Sequence, residues 1–166
     1  MLIEMKINGL AMDPYTNMPI VILKDLELKQ SLPIWIGILE ASAIATELEH
    51  IVLSRPMTHD LLKNILDQLN VQVEQVQIVD LRDNTFYAKI KLLIDEQTIE
   101  IDARPSDSLA LSLRTGAPIW VDSSVIENCR SIELSTETTE IDCEQHEKLA
   151  ELLETLNDKD FGKYKM

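Results

Sequence analysis

The chain has 166 residues, 45% of them apolar and 27% charged, which is typical of one globular domain with its own core. Its 29 acidic and 15 basic residues give a net charge of −14, which argues against a protein that binds nucleic acid through a broad basic surface. Two cysteines are too few for a thiolate zinc cluster, and no apolar run approaches the length of about 18 residues that a membrane helix needs, so we expect a cytoplasmic protein.

The first third of the chain predicts three strands and then a helix. Residues 3–8 alternate apolar with polar side chains, the period-two pattern of a half-buried strand, and residues 19–26 and 31–36 have strand-like composition. From Ile38 onward the apolar residues follow helical spacing. The expected buried stripe of this helix is Ala41, Ile44, Ala45, Leu48, Ile51 and Val52.

A second helix and three more strands are predicted between residues 58 and 103. Thr58 is the expected N-cap of the helix, and Asn70 is expected to end it. The strands are residues 71–79, with a bulge at the paired polar residues Glu74 and Gln75, then 85–94 after a tight turn at Asp83 and Asn84, and 98–103. The expected buried stripe of the helix is Leu61, Leu62, Ile65, Leu66 and Leu69.

Residues 105–116 fit two kinds of element, because Ser108 to Leu113 alternate as a strand would. Pro105 suits a first helical turn, and Gly116 suits the residue after a helix end, so we predict a helix. A shift of 67 residues lays Glu40 on Asp107, which indicates an internal duplication of a β-β-β-α unit. The predicted fold class is α+β, with mixed or antiparallel sheets and helices.

The composition changes near Asn128, where we place a boundary between a 1–128 domain and a 129–166 tail. The tail is predicted to be an acidic linker followed by an amphipathic helix, which would pack on the domain or on a second chain in a homodimer. Its apolar stripe is Leu149, Leu152, Leu153 and Leu156. Both tryptophans, Trp35 and Trp120, are expected in the core.

Two Arg-Pro pairs stand at predicted helix starts, RPMTHD at 55–60 and RPSD at 104–107. A helix N-terminus offers unpaired N–H donors and an arginine adds a forked donor, so Arg55 and Arg104 could hold phosphate there. In a structural interpretation, the two arginines instead pair with Asp60 and Asp107 to fix the turns. Both interpretations stay open at this point.

Carboxylates and a histidine supply candidates for chemistry. Glu100 and Asp102 share one face of a predicted strand, and Asp107 follows closely, a pattern that suits Mg²⁺ or Mn²⁺ in phosphodiester hydrolysis. His59, next to Asp60, could donate or accept a proton near neutral pH. The alternatives are a solvated strand face for the carboxylates and a surface histidine in a first helical turn.

Five segments of the chain together resemble the bifunctional nuclease domain family: LPIWIGILEASAIA, RPMTHDLL, DLRDNTFYAKI, IDARPSDSLALSLRTGAPIWV and DFGKYKM. The resemblance covers about residues 1–125 and the C-terminus. It implies an α+β domain with a metal-dependent activity on both DNA and RNA. The motif residues of the family fall on Glu40, Arg55, Thr58, His59, Asp60, Asp102, Arg104, Ser106 and Asp107. One departure is Ser108, where the family pattern more often has alanine.

With this resemblance, the first functional hypothesis is a nuclease that cleaves DNA and RNA with little sequence preference. Asp102 and Asp107 would hold the divalent cation, with Glu40 or Glu100 assisting. Arg55 and Arg104 would bind the phosphate, and Ser106 and Thr58 would cap the helix starts and complete the phosphate site. His59, together with Asp60, would transfer the proton. The alternative is a non-enzymatic acidic binding module that recognises a small anion or a partner protein.

Overall fold

The computed structural model of the chain describes residues 1–133, and their side chains as far as Cys129. These residues form seven strands and four helices. The strands are β1 (Leu2–Met12), β2 (Pro19–Asp25), β3 (Ser31–Trp35), β4 (Gln72–Arg82), β5 (Thr85–Ile94), β6 (Gln97–Ala103) and β7 (Ile119–Asp122). The helices are α1 (Ile38–Leu48), α2 (Thr58–Gln68), α3 (Pro105–Thr115) and α4 (Ser123–Glu133).

The seven strands form one mixed sheet in the order β3-β2-β1-β7-β4-β5-β6. Every neighbouring pair is antiparallel except β4 and β7, which are parallel. The predicted α+β class is therefore confirmed. Three strands followed by a helix occur twice along the chain, but this order of elements does not show a duplication.

Local sequence explains the turns of the sheet. Asp83 and Asn84 both have positive φ between β4 and β5, which short polar side chains tolerate in a tight hairpin turn. The predicted bulge in β4 is confirmed by a register shift between Val73 and Gln75. Such a bulge bends the strand while its apolar side chains stay on the core face.

The segment with strand-like alternation is α3, as predicted. Pro105 is its first residue, and Gly116 follows its end in the left-handed region, with a φ of 73°. Its middle residues are buried on several sides because the helix lies between the sheet and the neighbouring helices α1 and α2. The central core residues, taken from both layers, include Met5, Leu23, Ile34, Ile44, Val76, Ile78, Leu109, Leu111 and Val125.

Two predicted helical stripes were wrong in part. Helix α1 ends at Leu48, so Ile51 and Val52 lie in the following loop and are exposed. Helix α2 begins after Met57 rather than after Thr58, and none of its residues is fully buried. It packs mainly against α3, outside the layer that covers the sheet, so most of its apolar stripe stays in contact with solvent. Asn70 adopts a positive φ just beyond its end, as expected.

The expected core positions of the tryptophans were also inaccurate. Trp35, the last residue of edge strand β3, has 45% of its surface exposed. Trp120 lies on β7 and is half-buried. The side chain of Trp35 is directed to a polar partner at the sheet edge, which leaves one part of its ring uncovered.

The predicted boundary near Asn128 falls inside α4, and the side chain of Cys129 is part of the core. Helix α4 packs on β4 and β7, and the division into a 1–128 domain and a 129–166 tail stays a prediction. The predicted tail helix and its leucine stripe lie outside the described residues. Among residues 1–133, no helix is both long and apolar enough to cross a membrane.

Candidate functional site

The N-termini of α1, α2 and α3 meet and bring four of the predicted residues together. His59 Nε2 lies 3.0 Å from Asp107 Oδ1. Arg104 donates to both oxygens of Asp107, from Nε at 2.6 Å and from Nη2 at 3.1 Å. Arg104 Nη1 also donates to Glu40 Oε1 at 2.8 Å. Glu40, Arg104, Asp107 and His59 thus form one continuous polar network, which we call the site network.

The positions of these side chains follow from the helix starts. Arg104 is the extended residue before α3, and Asp107 stands in the first turn, where a carboxylate is favoured by the helix dipole. Glu40 has the same place in α1, and its carboxylate folds back over Gly37. A Cβ at Gly37 would lie 2.1 Å from Glu40 Oε2, so a larger residue there would displace the carboxylate from its present place.

A buried arginine positions α2, and with it His59. The Arg114 side chain is only 4% exposed and donates from Nε to Asp60 Oδ1 at 2.6 Å. Its other nitrogens donate to the carbonyls of Ala110 in α3, at 2.9 Å, and Ala43 in α1, at 3.1 Å. Asp60 also accepts the backbone N–H of Met57 at 2.9 Å, which caps the start of α2. Arg114 therefore ties three helices together beside the site network.

The pKa values of the two aspartates report these contacts. Burial by itself raises the pKa of Asp107, but hydrogen bonds from Arg104 and His59 outweigh it and hold that pKa below its ordinary value. Burial likewise raises the pKa of Asp60, and hydrogen bonds from Arg114 and the Met57 N–H hold it below its ordinary value. The hydrogen bond and the charge of Asp107 raise the pKa of Arg104. Both aspartates are thus charged acceptors at neutral pH.

A cleft of about 270 Å³ opens beside the site network. Arg104 lines this cleft and gives it a positive charge that ligands can reach, since its side chain is 65% exposed. Trp35 lines the same cleft. Ser106, the buried second residue of α3, is also in its lining, together with Glu40, Asn84 and Phe86.

The two Arg-Pro pairs differ in their surroundings. Arg104 pairs with Asp107, as the structural interpretation expected, and also faces the cleft. Arg55 does not pair with Asp60, because Arg114 occupies that carboxylate. Arg55 is exposed and lines a separate cleft of about 310 Å³, to which Asp60 also contributes. Thr58 is exposed at the first position of α2.

The predicted cation ligands do not form one group. Glu100 accepts from Lys89 Nζ at 2.8 Å and lies 3.3 Å from Lys91 Nζ, and these hydrogen bonds lower its pKa. Asp102 is exposed on the same strand, opposite Lys89 in the register, while both oxygens of Asp107 are engaged by Arg104. Within the part of the chain whose side chains are described, no three His, Cys, Asp or Glu residues are grouped to hold a metal ion. The residues present therefore do not fit the predicted site.

Two residues of this region were missed from the sequence. In the sequence, Arg114 is only a basic residue near a helix end, since nothing local identifies a partner that lies 54 positions earlier in the chain. The apolar neighbours of Trp35 in β3 predict a core position, whereas the structure places its ring at the sheet edge. The position of Trp35 at the end of its strand, two residues before Gly37, is the available signal that the ring lies at an edge.

Comparison with known proteins finds one matching domain family and relatives in bacteria and plants. The bifunctional nuclease domain family matches residues 21–134. An uncharacterized protein of Mycobacterium tuberculosis is 37% identical over 162 residues, which cover 95% of this chain and 97% of that protein. Bifunctional nuclease 1 of Oryza sativa subsp. japonica is 25% identical over 100 residues, which cover 58% of this chain and 30% of the rice protein.

The contact between Arg114 and Asp60 predicts a pH-dependent stability. Asp60→Asn should lower the free energy of unfolding at pH 7 by about 2 kcal/mol, because the buried guanidinium loses its charged partner. The folded pKa of Asp60 lies below its ordinary value of 3.8, so this stabilisation is present above pH 4 or so and disappears as the pH falls through the folded pKa. Urea unfolding at pH 7 and near pH 3 measures both values.

The matched control for this measurement is Asp67→Asn on the same helix. Asp67 pairs with Lys63 on the exposed surface, and the loss of such a pair costs at most about 0.5 kcal/mol. Equal costs for the two variants, or a cost for Asp60→Asn that does not shrink in acid, would contradict the assigned role of Asp60.

Proposed function

This chain belongs to the bifunctional nuclease domain family, and from that premise we propose that it hydrolyses phosphodiester bonds of DNA and RNA with little sequence preference. The rice relatives are the proteins named as nucleases, and they are 25% identical to this chain over 100 aligned residues. A cytoplasmic location, expected from the sequence, is part of the same proposal.

The observation that supports the proposal is the histidine–carboxylate contact beside an arginine-lined cleft. A carboxylate that accepts from one imidazole nitrogen fixes the orientation of the ring, so that the other nitrogen can exchange a proton with substrate or water. His59 and Asp107 have this relation at 3.0 Å. In the proposed reaction, His59 is the residue that moves a proton, and Asp107 orients it.

Arg104 is the proposed phosphate-binding residue. Its guanidinium has more N–H donors than its three hydrogen bonds to Asp107 and Glu40 use, and its side chain is mostly exposed. Asp107 and Glu40 hold the guanidinium plane in place, so little conformational freedom is lost when a phosphate binds. Asp60 acts as a positioning residue through Arg114.

The negative charge of the site network and of the whole protein limits how tightly nucleic acid can bind. One arginine faces two carboxylates, so the network carries a net negative charge unless His59 is protonated. A protein with a net charge of −14 also repels nucleic acid over about 10 Å at moderate ionic strength. We therefore expect weak binding that depends on salt. The requirement for Mg²⁺ or Mn²⁺ stays a prediction, and the roles proposed for His59, Asp107 and Arg104 do not depend on it.

His59→Ala should lower the cleavage of both plasmid DNA and RNA by at least about 100-fold, since general acid–base catalysis is typically worth that much. The assay compares protein with Mg²⁺, with Mn²⁺ and with EDTA, and the metal prediction requires that EDTA stops cleavage. His50→Asn, purified in the same way, is the matched control. His50 is exposed and has a positive φ that asparagine accepts.

Equal cleavage by His59→Ala and His50→Asn would show that the activity is a contaminant or that His59 has no part in it. Absence of cleavage in every metal condition would favour the non-enzymatic alternative, a binding module for a small anion or a partner. The observation that favours this alternative is Arg55, which makes no ion pair with the described side chains and lines its own cleft.

Arg104→Lys should lower kcat/KM by about tenfold or more while it changes the melting temperature little, because lysine keeps the charge but loses the forked geometry. Arg82→Lys is the control, since Arg82 is an equally exposed arginine with an aspartate partner. If Arg104→Lys loses stability in proportion to activity, the arginine fixes the turn before α3 and does not bind phosphate.

A further inference from the structure

Trp35 is a large aromatic side chain that the fold holds in an exposed position. Strand β3 buries Leu32, Pro33 and Ile34, but leaves 45% of Trp35 in contact with solvent. Exposure of so much apolar surface forgoes the stabilisation that burial would give. An exposed tryptophan at the edge of a cleft is therefore more informative than an exposed leucine on a helix.

The orientation of the ring is fixed by a hydrogen bond. The indole N–H of Trp35 donates to Asp13 Oδ2 at 3.0 Å. The Asp13 carboxylate is itself held by the hydroxyl of Thr16 at 2.7 Å and by the backbone N–H of Tyr15 at 2.9 Å. The loop between β1 and β2 thus anchors the polar edge of the indole. A ring that is fixed before a ligand arrives loses little entropy on binding.

Trp35 and Arg104 line the same cleft, together with the polar side chains of Asn84, Thr85 and Ser106. An aromatic face beside a guanidinium is the combination that holds a base and a phosphate in proteins that bind single-stranded nucleic acids. The volume of about 270 Å³ is small for a cleft and suits one nucleotide rather than a duplex.

From this arrangement we propose that Trp35 stacks on an unpaired nucleobase whose phosphate contacts Arg104, so that the substrate is a single-stranded segment of DNA or RNA. The inference rests on the proposed function and names the form of its substrate. In a duplex, both faces of each base are covered by neighbouring bases, so a base can reach Trp35 only where the strand is unpaired. Stacking tolerates every base, which agrees with low sequence preference.

The two tryptophans of the chain allow a direct binding test. Trp120→Phe leaves Trp35 as the single tryptophan, and its fluorescence then reports on the cleft. The protein is titrated with a four-nucleotide single strand of thymidines and with an abasic strand of equal length and charge, in Mg²⁺ and again in EDTA. We expect quenching by the thymidine strand and at least about tenfold weaker binding of the abasic strand.

Substitution of the ring supplies the second part of the test, with binding followed by a labelled strand. Trp35→Leu should weaken binding of the thymidine strand about tenfold, and Trp35→Phe should retain most of it, because phenylalanine keeps an aromatic face. Tyr87→Leu is the control, since Tyr87 is another partly exposed aromatic residue that does not line this cleft. Equal affinity for the abasic strand, an unchanged affinity of Trp35→Leu, or equally tight binding of a hairpin duplex would overturn the proposal.

The two proposals can fail separately. Base-dependent quenching without hydrolysis would support stacking and contradict the nuclease proposal. Hydrolysis that needs His59 but proceeds equally well in Trp35→Leu, without quenching in the single-tryptophan protein, would contradict stacking and support the nuclease proposal.

Discussion

The buried guanidinium of Arg114 is the interaction on which the arrangement of the site depends. Helix α2 has no fully buried residue and packs mainly on α3, so burial holds it only through partly buried side chains such as Leu66, which packs against the core. Its start is held instead by Asp60, which Arg114 binds while it also bonds the carbonyls of Ala43 and Ala110. A buried charge is stable only when it is paired and hydrogen-bonded, and Arg114 pairs with Asp60 and donates a hydrogen bond from each of its three nitrogens. His59, next to Asp60, reaches Asp107 as a consequence.

The second constraint is charge balance at the cleft. Asp107 and Glu40 stand in the first turns of two helices, where the helix dipoles favour carboxylates, and Arg104 lies between them. This arrangement fixes an arginine at a cleft on the surface of a strongly acidic protein. It also explains why Asp107 is a poor candidate cation ligand, since both of its oxygens already accept hydrogen bonds from Arg104. Under the proposed function, such a site would make a small local contact with one phosphate and would not bind nucleic acid over a broad surface.

The sequence predicts those parts of the fold that depend on local patterns. The bulge in β4, the turn at Asp83 and Asn84 and the helix α3 each follow from residues within a few positions. For α3, Pro105 and Gly116 at its two ends indicate a helix, whereas the alternation of its residues suggests a strand. A helix that is covered on several sides need not show a regular apolar stripe. The stripe of α2 was misleading for the opposite reason, since periodicity shows that a helix is amphipathic but not whether another element covers its apolar face.

The site could be predicted only in part. The Arg-Pro motifs correctly marked two helix starts, but the pairing of Asp60 with Arg114 joins segments that are distant in sequence. Glu100 illustrates a second difficulty, because a carboxylate on a strand face suggests a cation ligand, whereas two lysines of β5 lie beside it in the structure. Such cross-strand neighbours become visible only when the register of β5 and β6 is known.

Hydrogen exchange of Arg114→Met, resolved by segment, tests the role of this arginine most directly. Methionine keeps the apolar contacts of the side chain but cannot bond Asp60 or the two carbonyls. We predict that the amides of Thr58–Gln68 lose their protection while those of Pro105–Thr115 keep most of theirs, because α3 is also held by the sheet. Unchanged protection of α2, or a uniform loss in all helices, would contradict the account in which Arg114 positions α2 and thereby His59.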